Sequence, residues 1–310
     1  MPARPGSSPP TPVAGLPTLT LARDHVPQEV AARIRAGSLR RVGRGSYVAP
    51  RVVEDARRAA LARIAAVHQQ LRGAHVFSHS SAALLWGLPL WTTPAAVHVY
   101  QANRPGPRRD RRVQRHLGIL APAAVCEVAG LPVTSLEQTA VDCARTLAPL
   151  AGLVVVDAAL RAGATTGAML EIVGGDPRGR GMVRAHAVIQ LGDAGAESAQ
   201  ESAVRFVLLR AGLPQPRTQV EVGTRLGTFW ADLGWEEWRV LLEYDGRVKY
   251  QDQDSLIREK RRQDAVTEAG WRSVRVTRED LRSADLLVAR TLRLLPAGVP
   301  LTGRPLLRGR

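Results

Sequence analysis

The sequence predicts a mixed α/β (α+β) protein in two parts, on three observations. Residues 19–190 hold several Ala-rich helical stretches and one short basic hairpin. Residues 198–292 run through alternating strand patterns bracketed by capped helices, in the order α-β-β-β-α-β-α. Between them the segment LGDAGAES (191–198) is rich in small, turn-forming residues and marks a hinge-like boundary. The expected division is a disordered leader over 1–18, a first element over 19–50, a helical and mixed region over 51–190, and a compact unit over 191–310.

At 310 residues the chain is long enough for several cores. It carries 43 Lys and Arg against 28 Asp and Glu, a net charge of +15. Such an excess favours a polyanionic partner, above all nucleic acid. All of the cations but Lys249 and Lys260 are arginines. The excess is uneven, +11 over residues 1–195 and +4 over 196–310, so acids concentrate in the second half. Cys126 and Cys143 make no disulfide framework, and no Cys/His spacing reads as a zinc site. His68, His75, His79, His98, His116 and His186 share no spacing, and each is expected to be an ordinary hydrogen-bonded or surface histidine. No apolar run reaches the ~18 residues of a membrane-spanning helix. The Pro/Ser/Gly-rich start lacks the apolar core of a signal peptide. A soluble cytoplasmic protein is the expectation.

The elements follow in order. In DHVPQEVAARIRAG, Asp24 or His25 can cap a helix that has Pro27 in its first turn and Gly37 at its stop. Val30, Ala31 and Ile34 share one face of it. SLRRVGRGSYVAP then forms two short strands around Gly43-Arg44-Gly45. A helix followed by a basic hairpin is how a winged helix ends, so 19–50 reads as a winged-helix-like element with Arg40, Arg41 and Arg44 toward phosphate. A solvated hairpin covering a helix is the plainer alternative. Residues 52–72 read as one helix, FSHSSAALLWGLPLW as a short apolar helix behind Ser78 or Ser80, and AAVHVYQANR as a strand. RPGPRRDRRVQRH (104–116) crowds arginines around Pro105 and Pro107 and is either a solvated face or a phosphate-contacting arm. Ser135 starts a helix with Gln138 at its third position, and further helix is expected over 154–162 and 167–173.

The second part opens with SAQESAVRFVLLRAGLP, a helix capped by Ser198 with Glu201 completing a capping box. Its buried stripe is Val204, Val207, Leu208 and Ala211, and Arg205 lies one turn from Glu201, where it can pair with it. TFWADLGW alternates, which places Phe229, Ala231 and Leu233 on one face. A two-residue loop at Glu236-Glu237 pairs Trp235 with Trp238 and sets Asp232 opposite Leu241, with Glu243 its diagonal neighbour on the same face. Glu243 and Asp245 share a face in any register. Three such carboxylates repel one another unless a cation sits among them, and hard oxygens on rigid strands suit Mg²⁺. A solvent-facing sheet side with arginine partners is the alternative. DSLIREKRRQDAVTEAG is a helix capped at Asp254 or Ser255, with Lys260, Arg261 and Arg262 forming a basic shoulder. WRSVRVT is a strand, and Thr277 caps a last helix.

With Glu201 on the first helix, Asp232 on one strand and Glu243-x-Asp245 on the next, this order resembles the PD-(D/E)XK nuclease fold. More narrowly, LLEYDGRVKY and EKRRQDAVTEAGWRSVRVTREDL look like a domain of actinobacterial proteins related to the very-short-patch repair endonuclease, over about residues 196–295. In front, IRAGSLRRVGRGSYVAP, FSHSSAALLWGLPL and LPVTSLEQTAVDCARTL resemble the region related to abortive-infection type IV antitoxins that often precedes it. The resemblance implies a restriction-endonuclease-like αβββαβ domain, with Asp232 as central metal ligand, Glu243 as second ligand and Glu201 as helix-borne acid. It implies Mg²⁺ or Mn²⁺ as cofactor. Position 245 is Asp where the broader motif has Lys, and Lys249 is expected to take that role. DNA is the expected partner, through Arg40, Arg41, Arg44, Arg205, Lys260, Arg261 and Arg262. A metal-dependent DNA endonuclease is the first expected function. The alternative is a non-catalytic, antitoxin-like DNA-binding regulator with a degenerate nuclease core.

Overall fold

The computed structural model describes residues 8–102, 110, 112–245 and 253–307, with side chains from 257 onward in the last segment. It is a mixed α/β protein with three sheets among these residues. The first sheet joins β1 (Thr20–Leu21), β2 (Arg40–Gly43) and β3 (Ser46–Val48) in the order β1-β3-β2, with α1 (Pro27–Arg35) connecting β1 to β2. Pro27 opens α1 as its fixed φ favours, but Val26 occupies the cap position, so neither Asp24 nor His25 caps it. Of the expected apolar face only Val30 is buried. The expected helix over 52–72 is two helices, α2 (Pro50–Glu54) and α3 (Ala56–Gln70). The break is at Asp55, whose carboxylate accepts the Arg58 N–H at 2.8 Å and caps α3.

α3 is buried on two sides. Ala62 and Ala66 meet Val42 and Val48 of the hairpin, while Ala60, Leu61, Ile64 and Val67 meet the second sheet. That sheet contains β4 (Val76–Phe77), β5 (Val97–Gln101), β6 (Val113–Leu117), β7 (Val125–Val128) and β8 (Leu131–Thr134), ordered β6-β5-β4-β8-β7, with α4 (His79–Leu85) leaving β4. β5 and β6 run parallel, so His116 pairs with Tyr100 and lies diagonal to His98. Residues 8–18, read from sequence as disordered leader, lie against this part. The Val13 N–H donates to the Leu85 carbonyl, and Leu16 packs on the core. Gly87, at φ +78°, makes this possible, because a Cβ there would stand 1.8 Å from the Thr11 carbonyl oxygen.

Four helices follow: α5 (Leu136–Thr146), α6 (Pro149–Arg161), α7 (Thr166–Gly175) and α8 (Met182–Gln190), the last not foreseen in the sequence. Their apolar faces form one core that also takes in Phe206 and Leu209 of α9 (Ala199–Arg210). α9 is therefore buried nearly all round, which is why its expected four-residue stripe is too narrow and why Ala211, beyond its end, is exposed. Its Val204, Val207 and Leu208 serve the other core, that of the third sheet.

The third sheet contains β9 (Arg217–Thr224), β10 (Gly227–Trp235), β11 (Val240–Tyr244) and β12 (Arg272–Val276), in the order β12-β11-β10-β9. α10 (Gln253–Glu268) joins β11 to its parallel neighbour β12. α10 contributes Val266 to one face, and α9 and α12 (Ala284–Leu292), which follows α11 (Arg278–Arg282), cover the other. Thr277 caps the helix, as foreseen, and does so in a capping box with Asp280, although α11 and α12 are two helices where the sequence reads as one. No helix among the described residues is long and apolar enough to cross a membrane.

Candidate functional site

The β10–β11 connection differs from the expected two-residue loop. A 3-10 turn over Glu236–Trp238, closed by Arg239 in the left-handed region (φ +49°), pairs Trp235 with Val240. The register moves by two residues, so Leu233 comes opposite Leu242 where Val240 was expected, and Asp232 lies just beyond the last pair and not opposite Leu241. A shift of two preserves side-chain parity. A second departure lies at Asp232 itself. Phe229 and Ala231 pack on the α10 side with Val220 and Leu241, but Leu233 packs on the α9 side with Leu242. The three do not share a face. The alternation breaks because Gln219, between the pairs Ala231–Val220 and Leu233–Thr218, adopts φ +50°, and because Asp232 Oδ2 turns to accept the Tyr244 N–H at 2.7 Å.

The carboxylates then divide. Glu201, only 8% exposed at the start of α9, accepts the Ser198 hydroxyl and the Glu197 N–H, each at 2.8 Å. Burial, with the Asp232 carboxylate nearby, raises its carboxyl to about 7. Glu243 faces α10 and accepts both terminal nitrogens of Arg262, at 2.8 and 2.7 Å, in a bidentate fork. Arg262 also binds Glu259 and lies over the Phe229 ring, and its hydrogen bonds to Glu243 and Glu259 raise its pKa further. Arg275 bridges Glu259 and Asp245, the latter at 3.8 Å. Glu243 and Asp245 thus share a face, as foreseen, with arginines between them. Beside the C-terminal end of β11 opens a cleft of about 830 Å³, lined by Gln200, Tyr244, Asp245, Arg278 and Arg282 among others.

Hard carboxylate oxygens are the donor type for Mg²⁺ or Mn²⁺. The Asp232–Glu201 pair fits an ion in one respect, since each disfavours the other's charge. Glu243 presents its oxygens to Arg262, so an ion there must displace the guanidinium. Lys249 lies outside the described residues.

A different cluster assembles in the first part. His79, His98 and His116 place their ring nitrogens within 4.8 Å of one another, the one such group of metal-ligating side chains among the described residues. His79 is 1% exposed and starts α4 with φ +52°, an uncommon conformation for a side chain with a Cβ. Its ring stacks on His116 at 3.7 Å between centroids, and His98 Nδ1 lies 3.0 Å from His116 Nε2. Burial lowers the pKa of all three, that of His116 to about 4. Below them the buried Asp142 accepts the Tyr100 hydroxyl at 2.9 Å and Arg145 Nε at 3.0 Å. Burial raises the Asp142 carboxyl to about 6 against the pull of Arg145.

The chain is 31% identical to an uncharacterized protein of Mycobacterium tuberculosis, over 258 residues that make up 82% of this chain and 91% of the relative. That relative is Rv2248 in strain H37Rv and MT2308 in strain CDC 1551. The chain belongs to this family. No protein-family model matches the chain, and no solved structure matches it.

Among the residues expected to face DNA, Arg40, Arg41 and Arg44 are exposed on the β2–β3 hairpin, and Lys260 and Arg261 are exposed on α10. Arg262 is engaged by Glu243 and Glu259. Arg205 corrects the sequence reading outright. It is fully buried, pairs with Asp157 of α6 at 2.5 Å and not with Glu201, and donates to the Leu191 carbonyl. No helical spacing could reveal a partner 48 residues away. The histidine cluster was likewise missed, and its local signal is modest: His98 and Tyr100 alternate with Val97 and Val99, which leaves one polar face on a strand whose other face is core.

Proposed function

We propose that the protein binds DNA and that its C-terminal unit is a PD-(D/E)XK-type core that hydrolyses phosphodiester bonds with Mg²⁺ or Mn²⁺. One observation carries this reading: the start of α9 and β10 set Glu201 close enough to Asp232 for that carboxylate to help raise the Glu201 carboxyl, with Glu243 on the neighbouring strand β11 and a cleft lined by Arg278 and Arg282 at the end of that strand. The sequence α9-β9-β10-β11-α10-β12, with β12 parallel to β11 and helices on both faces, is the order that the restriction-endonuclease-like reading of 191–310 requires. An ion held by Asp232 and Glu243 would bind the scissile phosphate and activate a water for in-line attack. Glu201, poised near neutrality, would hold or release a proton beside Asp232. Arg278 and Arg282 would take flanking phosphates, and Arg40, Arg41, Arg44, Lys260 and Arg261 would add affinity without sequence readout. The strand order β1-β3-β2 around α1 supports the winged-helix-like reading of 19–50. The antitoxin-like reading of 51–190 rests on resemblance.

The bidentate Arg262–Glu243 fork favours a second reading, a non-catalytic DNA-binding regulator in which a guanidinium stands in for the ion. Cleavage of plasmid and of mismatched duplex, titrated with Mg²⁺ and Mn²⁺, separates the two. Metal-dependent nicking by the wild type that Asp232→Asn abolishes supports the nuclease. DNA binding without cleavage at every metal concentration, by both the wild type and Arg262→Gln, hands the function to the regulator.

A further inference from the structure

We propose that His79, His98 and His116 form a binding site for a first-row divalent transition-metal ion, Zn²⁺ foremost, independent of the carboxylate site. Three features converge on it. The first is proximity: the nitrogens lie within 4.8 Å of one another, and His98 Nδ1 and His116 Nε2 are 3.0 Å apart. Two ligands of a tetrahedral ion with bonds of roughly 2.0–2.1 Å stand roughly 3.3 Å apart, so this pair is already near bite distance.

The second is an unsatisfied atom. His79 Nε2 is buried and has no hydrogen-bond partner among the described residues. An orphan of this kind costs stability unless something meets it. On the other edge of the ring, Nδ1 lies 3.0 Å from Ser78 Oγ and 3.7 Å from Asp142 Oδ2, an oxygen that itself makes no well-formed hydrogen bond among the described residues. A proton on Nδ1, directed at Ser78 Oγ, leaves the lone pair of the buried Nε2 free for an ion. Asp142 is fixed in turn by Tyr100 and Arg145, and closing its 3.7 Å gap to Nδ1 on loading would complete a carboxylate–histidine–metal arrangement that sets tautomer and ring orientation.

The third is the backbone. His79 is held at φ +52° at the first position of α4, and strained conformations of this sort collect where a side chain must be aimed. Three imidazoles and no hard oxygen donor select Zn²⁺, Co²⁺, Ni²⁺ or Cu²⁺ over Mg²⁺, and they leave a fourth position for water or a ligand. Loading turns His79 and His116 out of their stack.

The test uses full-length protein stripped with chelator, titrated with Zn²⁺ by calorimetry and with Co²⁺ by visible absorption. One equivalent should bind, and Co²⁺ should give the intense bands of a low-coordinate nitrogen site, undisturbed by excess Mg²⁺. His98→Gln/His116→Gln should abolish both signals. Asp142→Asn should weaken binding roughly tenfold to hundredfold, and His68→Gln/His75→Gln should leave it unchanged. No Co²⁺ band in the wild type overturns the proposal, as does a band that survives in a folded His98→Gln/His116→Gln protein. Should that variant not fold, the wild-type Co²⁺ spectrum and the Asp142→Asn affinity decide: an octahedral, weakly absorbing spectrum or an unaltered affinity overturns it.

Discussion

Arg205 of α9 is fully buried and holds Asp157 of α6 at 2.5 Å, with Asp157 itself 1% exposed. The same carboxylate oxygen accepts the Asp193 N–H at 2.9 Å, and Asp193 accepts the Gly195 N–H and the Thr218 hydroxyl. The segment that reads in sequence as a hinge is thus fastened through Asp193 to both α6 and β9. Removing one member of a buried pair leaves an uncompensated charge, at a cost of about 3–5 kcal/mol. Asp157→Ala should therefore lower unfolding stability by that order in urea denaturation. Segment 191–310 expressed alone, which would expose Phe206, Leu209 and Arg205 together, should not unfold cooperatively. A sharp transition in the isolated segment would show that the fastening is dispensable.

Glu201 gives a pH dependence. Its folded pKa is raised from 4.5 to about 7, so the folded state holds the proton more tightly than the unfolded chain. The stability this contributes is fully present below the unfolded pKa and is lost as pH rises through about 7. Its size is about 3 kcal/mol at most by linkage. Glu201→Gln keeps the hydrogen-bonding shape without the titration and should flatten the fall in stability between pH about 4.5 and about 7. Denaturation curves at a series of pH values check this, and parallel profiles for variant and wild type would count against it.

What the sequence made legible follows from range. Strand alternation and the Ser198 and Thr277 caps are local signals that place elements of the C-terminal unit, as the Gly37 stop does for α1. The β10–β11 register was misjudged because Arg239 accepts a left-handed conformation that glycine usually supplies, yet parity kept Glu243 and Asp245 on one face. Burial around α9 was underestimated because one helix serves two cores. The histidine cluster was invisible because it depends on β6 running parallel to β5 and on an unusual φ at His79, neither of which is written in spacing.

Duplex DNA binding should weaken steeply with salt, since it rests on counterion release. Arg40, Arg41 and Arg44 are exposed on one hairpin and fold nothing beneath them. Their triple replacement by Ala should reduce the slope of log K against log salt by about 0.9 for each phosphate that is no longer neutralised. Circular dichroism should be unchanged. An unaltered slope would move the DNA surface off the hairpin.

The Arg262–Glu243 fork separates ion site from scaffold. Arg262 and Glu243 are each about a quarter exposed, at 24% and 21%, so their pairing is partly screened and its loss should cost only about 1 kcal/mol. Arg262→Gln frees both oxygens of Glu243, one strand away from Asp232. If the acids hold Mg²⁺ in the functional protein, this variant should be more sensitive to the ion than the wild type. At tenfold over Kd the gain is about 1.4 kcal/mol, readable as a rise in Tm. Asp232→Asn should show no such rise. It should be slightly more stable than the wild type without metal near neutral pH, because it relieves the repulsion that raises the Glu201 carboxyl. Thermal melts of wild type, Arg262→Gln and Asp232→Asn, with and without Mg²⁺ or Mn²⁺, give the three outcomes in one series. Silence of all three toward both ions, together with a stability loss in Arg262→Gln, makes the guanidinium the permanent occupant of the carboxylate cluster and the core a scaffold for DNA binding.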